Sequence, residues 1–232
     1  MGIYPSDHYI KGTSNFSMCI QNIEKFIYNN NNAILTIGIQ ATYPSINYGY
    51  IKTNSQSDII NKISNFIEKP DTNKAKELIK SDNILWNSGM FFFTCNTILS
   101  EIEKLVPEFK KYSDNFIKNW SKLPKISIDY SVIEKTSQGY CIKGDFDWSD
   151  VGTWQSLYDL LPKDQNDNVV KGEYDFYDSS NNFIFSPNKK TAVVGLSNIA
   201  VINLDDKTLV VDMSKSDKLK YLNNQDNNKK NN

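Results

Sequence analysis

The stretch AILTIGIQ (33–40) is short, apolar and rich in β-branched residues, and this composition predicts a buried strand. Before it, NFSMCIQNIEKFIYN (15–29) carries apolar residues at the spacing of an amphipathic helix. After it, YGYIKTN (48–54) and DIINKISNFIEK (58–69) predict two further strands. A chain in which helices and strands alternate in this way is typical of an α/β fold with a helix-covered sheet.

The alternation continues to residue 161. NKAKELIKS (73–81) predicts a short helix, and SGMFFFTC (88–95) predicts an aromatic strand that enters a helix capped at Asn96 or Thr97. The remaining expected elements are a helix from Pro107 to about Trp120, a helix in SIDYSVIEKT (127–136) with Ser127 as its N-cap, a strand at YCIKG (140–144) and a helix at GTWQSLYDLL (152–161).

The character of the sequence changes near residue 162. The following segment has short β runs broken by Asn, Gly, Asp and Ser, without a helical period, and it predicts a separate all-β unit. The final residues, NNQDNNKKNN (223–232), are polar and of low complexity, which is typical of a disordered tail. We therefore expect an α/β domain over 1–161, a β domain over 162–222 and a disordered tail over 223–232.

The composition excludes several classes of function. The formal net charge is -1, so no general basic surface favours nucleic acid. All 26 basic residues are lysine, so a bound phosphate must be held by lysine, backbone N–H groups or metal. The three cysteines are far apart, which fits a reducing cytoplasm, and one histidine cannot build a multi-histidine zinc site. No apolar run approaches the roughly 20 residues of a membrane span.

Two motifs place single residues where a ligand could bind. YPSDH (4–8) puts Asp7 after a short strand and turn, at the sheet edge where open α/β folds bind ligands, although Asp in a turn commonly caps the chain that follows. NYGYIK (47–52) places Gly49 between two tyrosines. A glycine there permits close approach by a ligand, although a β-bulge explains it as well when the motif is taken alone.

Two other motifs carry polar groups suited to a sugar phosphate. FIEKP (66–70) ends a predicted strand with Glu68, which can accept hydroxyl hydrogen bonds, and Lys69, which can neutralise a phosphate. WNSGMFFF (86–93) presents Asn87, whose amide both donates and accepts. Ordinary surface charges and a turn before a strand explain the same residues when each motif is taken alone.

Taken together, these motifs resemble one family. PSDHYI, YGYIK, FIEKP, WNSGMF, SIDYSVIEK and DWSDVGTW, in this order and spacing, are similar to sugar nucleotidyltransferases, in particular those acting on mannose 1-phosphate. The resemblance covers residues 1 to about 160 and continues into the β segment. It implies a Rossmann-like, GT-A-like mixed sheet followed by a small left-handed β-helix-like domain. It also implies the conversion of GTP and mannose 1-phosphate to GDP-mannose and pyrophosphate, with Mg²⁺ as cofactor.

The resemblance also implies roles for individual residues. Asp7 and Asp150 match the Mg²⁺ ligands, and Lys69 matches the lysine that engages the sugar phosphate; these three are the expected catalytic residues. Gly49 is expected to let a backbone N–H approach the sugar, while Glu68, Lys69 and Asn87 are the other expected substrate-binding residues.

Three further positions are expected to be structural. Asp129 of SIDY matches a family position, and we expect it to support the fold. Asp147 is expected in a turn, and Trp148 and Trp154 are expected to pack.

The family's Gly-rich loop, of the form GGxGxRLxPL, is not present in this sequence. We therefore expect an N-terminally truncated chain that is inactive alone and partners a separate N-terminal polypeptide or forms a homo-oligomer. Three alternatives stay open: a non-catalytic sugar-phosphate-binding protein, a structural remnant, and a transferase for another hexose 1-phosphate, with glucose 1-phosphate the nearest.

Overall fold

A computed structural model describes residues 1–55, 58–112 and 115–219 of the chain. The chain forms two compact units, Met1–Trp148 and Ser149–Asn232, which we call the first and second units. The disordered tail predicted for 223–232 lies outside the described residues.

The first unit alternates helices and strands as the sequence pattern predicts. Its strands are β1 (Gly2–Ile3), β2 (Tyr9–Lys11), β3 (Ile34–Gln40), β4 (Tyr50–Thr53), β5 (Ile60–Ile67), β6 (Ile84–Phe92), β7 (Gly139–Lys143) and β8 (Asp147–Ser149), the last of which reaches the boundary between the units. Its helices are α1 (Thr13–Asn29), α2 (Thr72–Leu78), α3 (Cys95–Leu105), α4 (Pro107–Lys111) and α5 (Phe116–Asn119), with a 3₁₀ turn at Trp120–Lys122 and a π-helix at Asp129–Ile133.

Six of these strands form one mixed sheet in the order β1-β6-β3-β7-β5-β4, with β6 also pairing β4. Among the described pairings of this sheet, β3 and β7 run parallel and the others are antiparallel. Strands β2 and β8 form a separate two-stranded sheet. The expected mixed α/β fold is therefore confirmed.

Side chains on the two faces of the sheet enter two separate hydrophobic clusters. Along β3, Leu35 and Ile37 join a cluster with Ile23 of α1, whereas Ile34 joins a cluster with Ile98 of α3. The alternation follows from the two-residue period of a strand, which sends neighbouring side chains to opposite faces. Helix α1 thus covers one face, and α3 with the π-helix covers the other, so the central strands are buried on both sides.

Three local predictions are wrong. Helix α3 is capped by Thr94, whose side chain accepts from the Thr97 N–H, rather than by Asn96 or Thr97. The expected helix from Pro107 to Trp120 is broken, because α4 ends at Lys111 and the Asn115 side chain caps a new short helix. The segment after Ser127 forms a π-helix without a side-chain N-cap bond.

In the second unit, the described residues, which end at 219, form a short α-helix, a small sheet and a 3₁₀ helix. Its elements are α6 (Trp154–Leu160), β9 (Val169–Tyr177), β10 (Phe183–Val194), β11 (Ile199–Asn203), β12 (Thr208–Asp212) and the 3₁₀ helix Met213–Leu219. The sheet order is β12-β11-β10-β9, in which β10 is parallel to both β9 and β11, and β12 is antiparallel to β11. The expected small β domain is therefore present.

Helix α6 is part of the second unit, whereas the sequence pattern predicts the domain boundary after it. The physical reason is burial: Trp154, Leu157 and Tyr158 pack on Val169 and Phe183 of the β sheet. The Trp154 ring lies 5.7 Å from the Phe183 ring, as expected for a packing tryptophan.

Two buried asparagines link successive strands of the second unit. Asn168 Oδ1 accepts from the Asn182 N–H at 3.0 Å, and Asn182 Oδ1 accepts from the Ile199 N–H at 3.1 Å. The amide of Asn182 donates in turn to the Leu196 carbonyl at 3.0 Å. We call Asn168 and Asn182 the asparagine ladder. Their side chains satisfy backbone groups that burial would otherwise leave without partners.

Candidate active site

The backbone of Lys69 brings two charged neighbours onto the same side of the chain. Strand β5 ends at Ile67, and Lys69 follows with φ of 44°, in the left-handed region that few non-glycine residues adopt. In a continued strand, adjacent side chains would point to opposite faces. Here Lys69 Nζ lies 2.9 Å from Glu68 Oε1, so an ammonium and a carboxylate form one local unit. Strained backbone of this kind concentrates at functional sites.

The Glu68 carboxylate is buried against Gly49. Its side chain is 7% exposed, and Oε2 has no hydrogen-bond partner among the described residues. A Cβ at Gly49 would overlap Glu68 Oε2, so a larger residue there would displace this carboxylate from its present position. The Gly49 carbonyl accepts from the Asn87 N–H at 2.8 Å, which ties the glycine to β6.

Burial and charge act in opposite directions on the Glu68–Lys69 pair. Burial raises the pKa of Glu68 above its ordinary value, although the hydrogen bond from Lys69 partly opposes the shift. The same hydrogen bond to Glu68 raises the pKa of Lys69. The Glu68 carboxyl is therefore harder to ionise than an exposed glutamate, whereas the Lys69 ammonium holds its proton more strongly than an ordinary lysine.

Asn87 lies inside strand β6, so the alternative that placed it in a turn before the strand is wrong. The register between β3 and β6 shifts between Thr36 and Gly38, and Gly89 adopts φ of 72° within the irregular stretch. A β-bulge re-aims side chains relative to a regular ladder. The site residue Asn87 therefore lies at the edge of a local irregularity of the strand.

Three neighbours orient the Asn87 amide. Its Oδ1 accepts from Thr36 Oγ1 at 2.9 Å and from the Gly89 N–H at 3.2 Å. Its Nδ2 donates to Asp129 Oδ1 at 3.2 Å. Asp129 thus touches another predicted site residue from the π-helix, a helix type that often marks functional positions.

Asp7 lies on an exposed bend, and its neighbour His8 is held by a tryptophan. The indole N–H of Trp148 donates to His8 Nδ1 at 3.2 Å, and the two ring centroids are 5.3 Å apart. Trp148 also contacts Tyr48, the residue before Gly49. The expected packing role of Trp148 matches these contacts, whereas Asp147 lies in strand β8 rather than in a turn.

Asp150 lies in a strained turn of the second unit. Its Oδ1 accepts from the Gly152 N–H at 3.1 Å, and Ser149 Oγ accepts from the Val151 N–H at 3.1 Å. Val151 has φ of 50°, which is unusual for a β-branched residue. The turn fixes the direction of the Asp150 carboxylate.

The two predicted metal ligands belong to different units, Asp7 to the first and Asp150 to the second. Within the described residues, no group of three or more His, Cys, Asp or Glu side chains converges as a metal cluster. A site made of two carboxylates, phosphate oxygens and water does not require such a cluster. The Mg²⁺ site stays a prediction.

The structure brings together four of the predicted residues, namely Gly49, Glu68, Lys69 and Asn87. They supply a hydrogen-bond acceptor, a cation and an amide around one glycine. This combination suits a ligand that carries both hydroxyl groups and an anionic group.

Sequence analysis missed two residues in this region. Thr36 sits in an apolar strand, where a threonine is unremarkable in the sequence. The single histidine, His8, served in the sequence only to exclude a multi-histidine zinc site, and its role as the acceptor of the Trp148 N–H was not predicted. Thr36 could have been noticed as a polar side chain in a strand predicted to be buried, because a buried hydroxyl needs a hydrogen-bond partner.

The profile of the nucleotidyl transferase family matches residues 1–167, and the chain belongs to this family. The resemblance noted in the sequence is thereby confirmed. Among the most similar relatives, the mannose-1-phosphate guanylyltransferase of Escherichia coli is 31% identical over 90% of this chain and 49% of its own length. The putative mannose-1-phosphate guanylyltransferase of Vibrio cholerae is 32% identical over 95% of this chain and 50% of its own. The chain spans about half the length of these relatives.

A solved structure shares the fold. The crystal structure titled mannose-1-phosphate geranyltransferase, from Thermus thermophilus, superposes with a TM-score of 0.87 at 24% identity, covering 97% of this chain and 68% of that one. At this identity the match establishes the fold alone. Separately, no helix in the described part of the chain has the length and apolar character needed to cross a membrane.

Proposed function

We propose that this chain carries the sugar-phosphate side of a mannose-1-phosphate guanylyltransferase and binds mannose 1-phosphate at Gly49, Glu68, Lys69 and Asn87. The names of the relatives from Escherichia coli and Vibrio cholerae support the substrate. The overall reaction joins mannose 1-phosphate to GTP and releases pyrophosphate. In this proposal the protein acts in the cytoplasm, as a homo-oligomer or together with a polypeptide that supplies the nucleotide-binding loop.

The observation that carries the proposal is the state of Glu68. One of its oxygens is buried without a partner among the described residues, while the other pairs with the Lys69 ammonium at 2.9 Å. A buried carboxylate oxygen without a hydrogen bond destabilises the fold. A sugar hydroxyl would supply the missing donor, and the adjacent lysine, whose side chain is 57% exposed, can reach the sugar's phosphate.

We propose Asp7 and Asp150 as the ligands of Mg²⁺. Two carboxylates fit this ion because it prefers oxygen donors and completes its shell with phosphate oxygens and water. Bound Mg²⁺ would offset the negative charge of the phosphates during transfer.

The chain's own residues would align the sugar phosphate for reaction. Its phosphate oxygen attacks the α-phosphorus of GTP in line, and pyrophosphate leaves. Lys69 neutralises the sugar phosphate and fixes its position, while Glu68 and Asn87 fix the sugar ring. Alignment of two reactants is the main contribution a protein makes to this kind of reaction.

Calorimetric titration of the full 232-residue chain with mannose 1-phosphate tests the binding proposal. We expect Lys69→Met to weaken binding by about tenfold or more, since it removes a charge-assisted contact. Lys74→Met is the matched control, because Lys74 also pairs with a glutamate at 2.9 Å but lies on the surface of α2. Equal effects of both substitutions, or tighter binding of glucose 1-phosphate than of mannose 1-phosphate, would contradict the assignment.

A pyrophosphate-release assay with GTP, mannose 1-phosphate and Mg²⁺ tests the catalytic part. The 232 residues contain no Gly-rich phosphate loop, so we expect negligible turnover by this chain alone. Robust turnover by the pure chain would refute this expectation.

A further inference from the structure

Asn87 is held in one orientation by groups whose hydrogen-bonding sense is fixed. The Gly89 N–H can only donate, so the atom it meets at 3.2 Å must be Asn87 Oδ1. A carboxylate accepts, so Asp129 Oδ1 at 3.2 Å faces Asn87 Nδ2. These two contacts settle which end of the amide is which, a choice that atomic positions alone leave open.

Thr36 makes the third hydrogen bond that orients the Asn87 amide. Its hydroxyl lies 2.9 Å from Asn87 Oδ1 and must donate to it. Thr36 is 1% exposed on the central strand β3, and Asn87 is 8% exposed. Both lone pairs of Asn87 Oδ1 are thus occupied, by Thr36 and by Gly89.

One N–H of Asn87 has no partner among the described residues, since Asp129 uses the other. Toward a ligand, Asn87 is therefore a donor only. Glu68 has the opposite hydrogen-bonding role: when the carboxylate is ionised, its buried Oε2 can only accept. A Cβ placed on Gly49 would overlap Glu68 Oε2 and lie 3.3 Å from Asn87 Cβ, so both groups flank the same glycine.

We propose that Thr36 and Asp129 are positioning residues that hold Asn87 as an obligate donor, so that the site selects a sugar hydroxyl that accepts from Asn87 and donates to Glu68. The inference rests on the proposed binding of mannose 1-phosphate. It assigns one hydroxyl of the hexose to a matched donor–acceptor pair. A group that only accepts, or only donates, would leave one side of the pair unsatisfied.

The test compares Thr36→Val with Thr36→Ser in the full chain. The valine is nearly isosteric but lacks the donor, so Asn87 Oδ1 loses one of its two hydrogen bonds and the amide is held less firmly. We expect Thr36→Val to weaken mannose 1-phosphate binding by about five- to tenfold, the value of one neutral hydrogen bond. Thr36→Ser restores the hydroxyl and should bind as the wild type does.

Thr53→Val is the matched control. Thr53 is also a buried strand threonine, at 2% exposure, but its Oγ1 has no hydrogen-bond partner among the described residues. Its replacement should leave binding unchanged. If Thr36→Val fails to fold, Asp129→Ala tests the same orientation of Asn87 from the partly exposed π-helix, with Asp129→Asn as the conservative rescue because its amide oxygen can still accept.

Monodeoxy analogues of mannose 1-phosphate separate positioning from general damage. We expect one analogue to bind the wild type weakly and to show no further loss with Thr36→Val, because the contact is already absent. A uniform loss across all analogues would indicate a merely structural role and overturn the inference.

The outcomes distinguish the two proposals. If the wild type does not bind mannose 1-phosphate, the proposed function fails and this inference with it. If the wild type binds and Thr36→Val and Asp129→Ala bind equally well, only the positioning role is overturned.

Discussion

The asparagine ladder of the second unit and the Glu68 site of the first treat buried polar groups in opposite ways. Asn182 is fully buried, and both ends of its amide bond backbone groups of neighbouring strands and turns. Glu68 is nearly as buried in its side chain, yet one oxygen lacks any described partner. One region uses its polar atoms to hold strands together, whereas the other leaves an acceptor unused.

This difference in hydrogen bonding indicates which region serves stability and which serves ligand binding. A buried amide with all its hydrogen bonds made stabilises the fold, because removing it leaves the backbone groups that it bonds without partners. An unsatisfied buried carboxylate destabilises the fold and persists where a function requires it. Substitutions in the ladder should therefore change unfolding, and substitutions at the site should change binding.

The largest expected effect is on the ladder. Asn182→Ala leaves the Ile199 N–H and the Leu196 carbonyl without their partner, and we expect the second unit to lose about 2–4 kcal/mol of unfolding free energy. Hydrogen exchange of β10 and β11 in the full chain measures the loss. Asn188→Ala is the control, because Asn188 is exposed and its side chain bonds the Asp205 side chain. If hydrogen exchange of β10 and β11 is unchanged in Asn182→Ala, the ladder does not stabilise the second unit, and the contrast with the Glu68 site fails.

The next largest effect is expected at the Glu68 site, where Gly49→Ala should weaken the binding of mannose 1-phosphate. The added Cβ displaces the Glu68 carboxylate, and we expect mannose 1-phosphate affinity to fall at least about 30-fold through loss of charged hydrogen bonds. Gly139→Ala is the control, since a Cβ there meets the Ile63 side chain at an ordinary 3.4 Å. Calorimetry that shows wild-type affinity for Gly49→Ala would refute the proposed geometry.

The pH dependence of stability offers a smaller test. Because the pKa of Glu68 is raised in the folded state, the fold favours its protonated form. This contribution is present below the ordinary glutamate pKa of about 4.3 and is lost as pH rises through the higher folded value. We expect the wild type to lose stability relative to Glu68→Gln as pH rises from about 4 to 7. Urea unfolding measures the difference.

Glu77→Gln is the control for the pH experiment. Glu77 pairs with Lys74, but its side chain is 69% exposed, so its replacement should leave the pH dependence almost unchanged. Parallel pH curves for the wild type and Glu68→Gln would show that the buried carboxylate is not the source.

The smallest expected change lies in an ordinary, fully bonded part of the first unit. Thr94→Ala removes the cap of α3 and should reduce the unfolding free energy by about 1 kcal/mol. Asn96→Ala, at a cap position favoured by sequence, should cost less. Neither should alter sugar-phosphate affinity. Thermal unfolding checks the order, and a larger loss for Asn96→Ala would restore the sequence-based assignment.

The sequence was sufficient for features that depend on local pattern. Strand β3 and helix α1 follow from apolar composition and period, and the two faces of the sheet follow from alternation. The α3 cap was misplaced because Thr94, Asn96 and Thr97 are all good capping residues, and only the backbone decides among them. The break after Lys111 depends on Asn115 bonding the Lys118 N–H, a local competition that helical periodicity does not show.

The site was predictable in composition but not in detail. Family motifs identified Glu68, Lys69 and Asn87, and their contacts support a shared site. The irregular register beside Asn87 arises from pairing with β3, and the Thr36 contact spans 51 residues, so neither could be seen in a local stretch. The joint role of Asp7 and Asp150 stays a prediction.

The left-handed backbone at Lys69 has a consequence for protein engineering. A selection for heat resistance would favour glycine or asparagine there, because both adopt this conformation at lower cost. Such variants would survive better as folded chains while discarding the ammonium paired with the buried carboxylate. Thermostabilised libraries of this protein should therefore be screened for ligand retention at position 69 before any variant is kept.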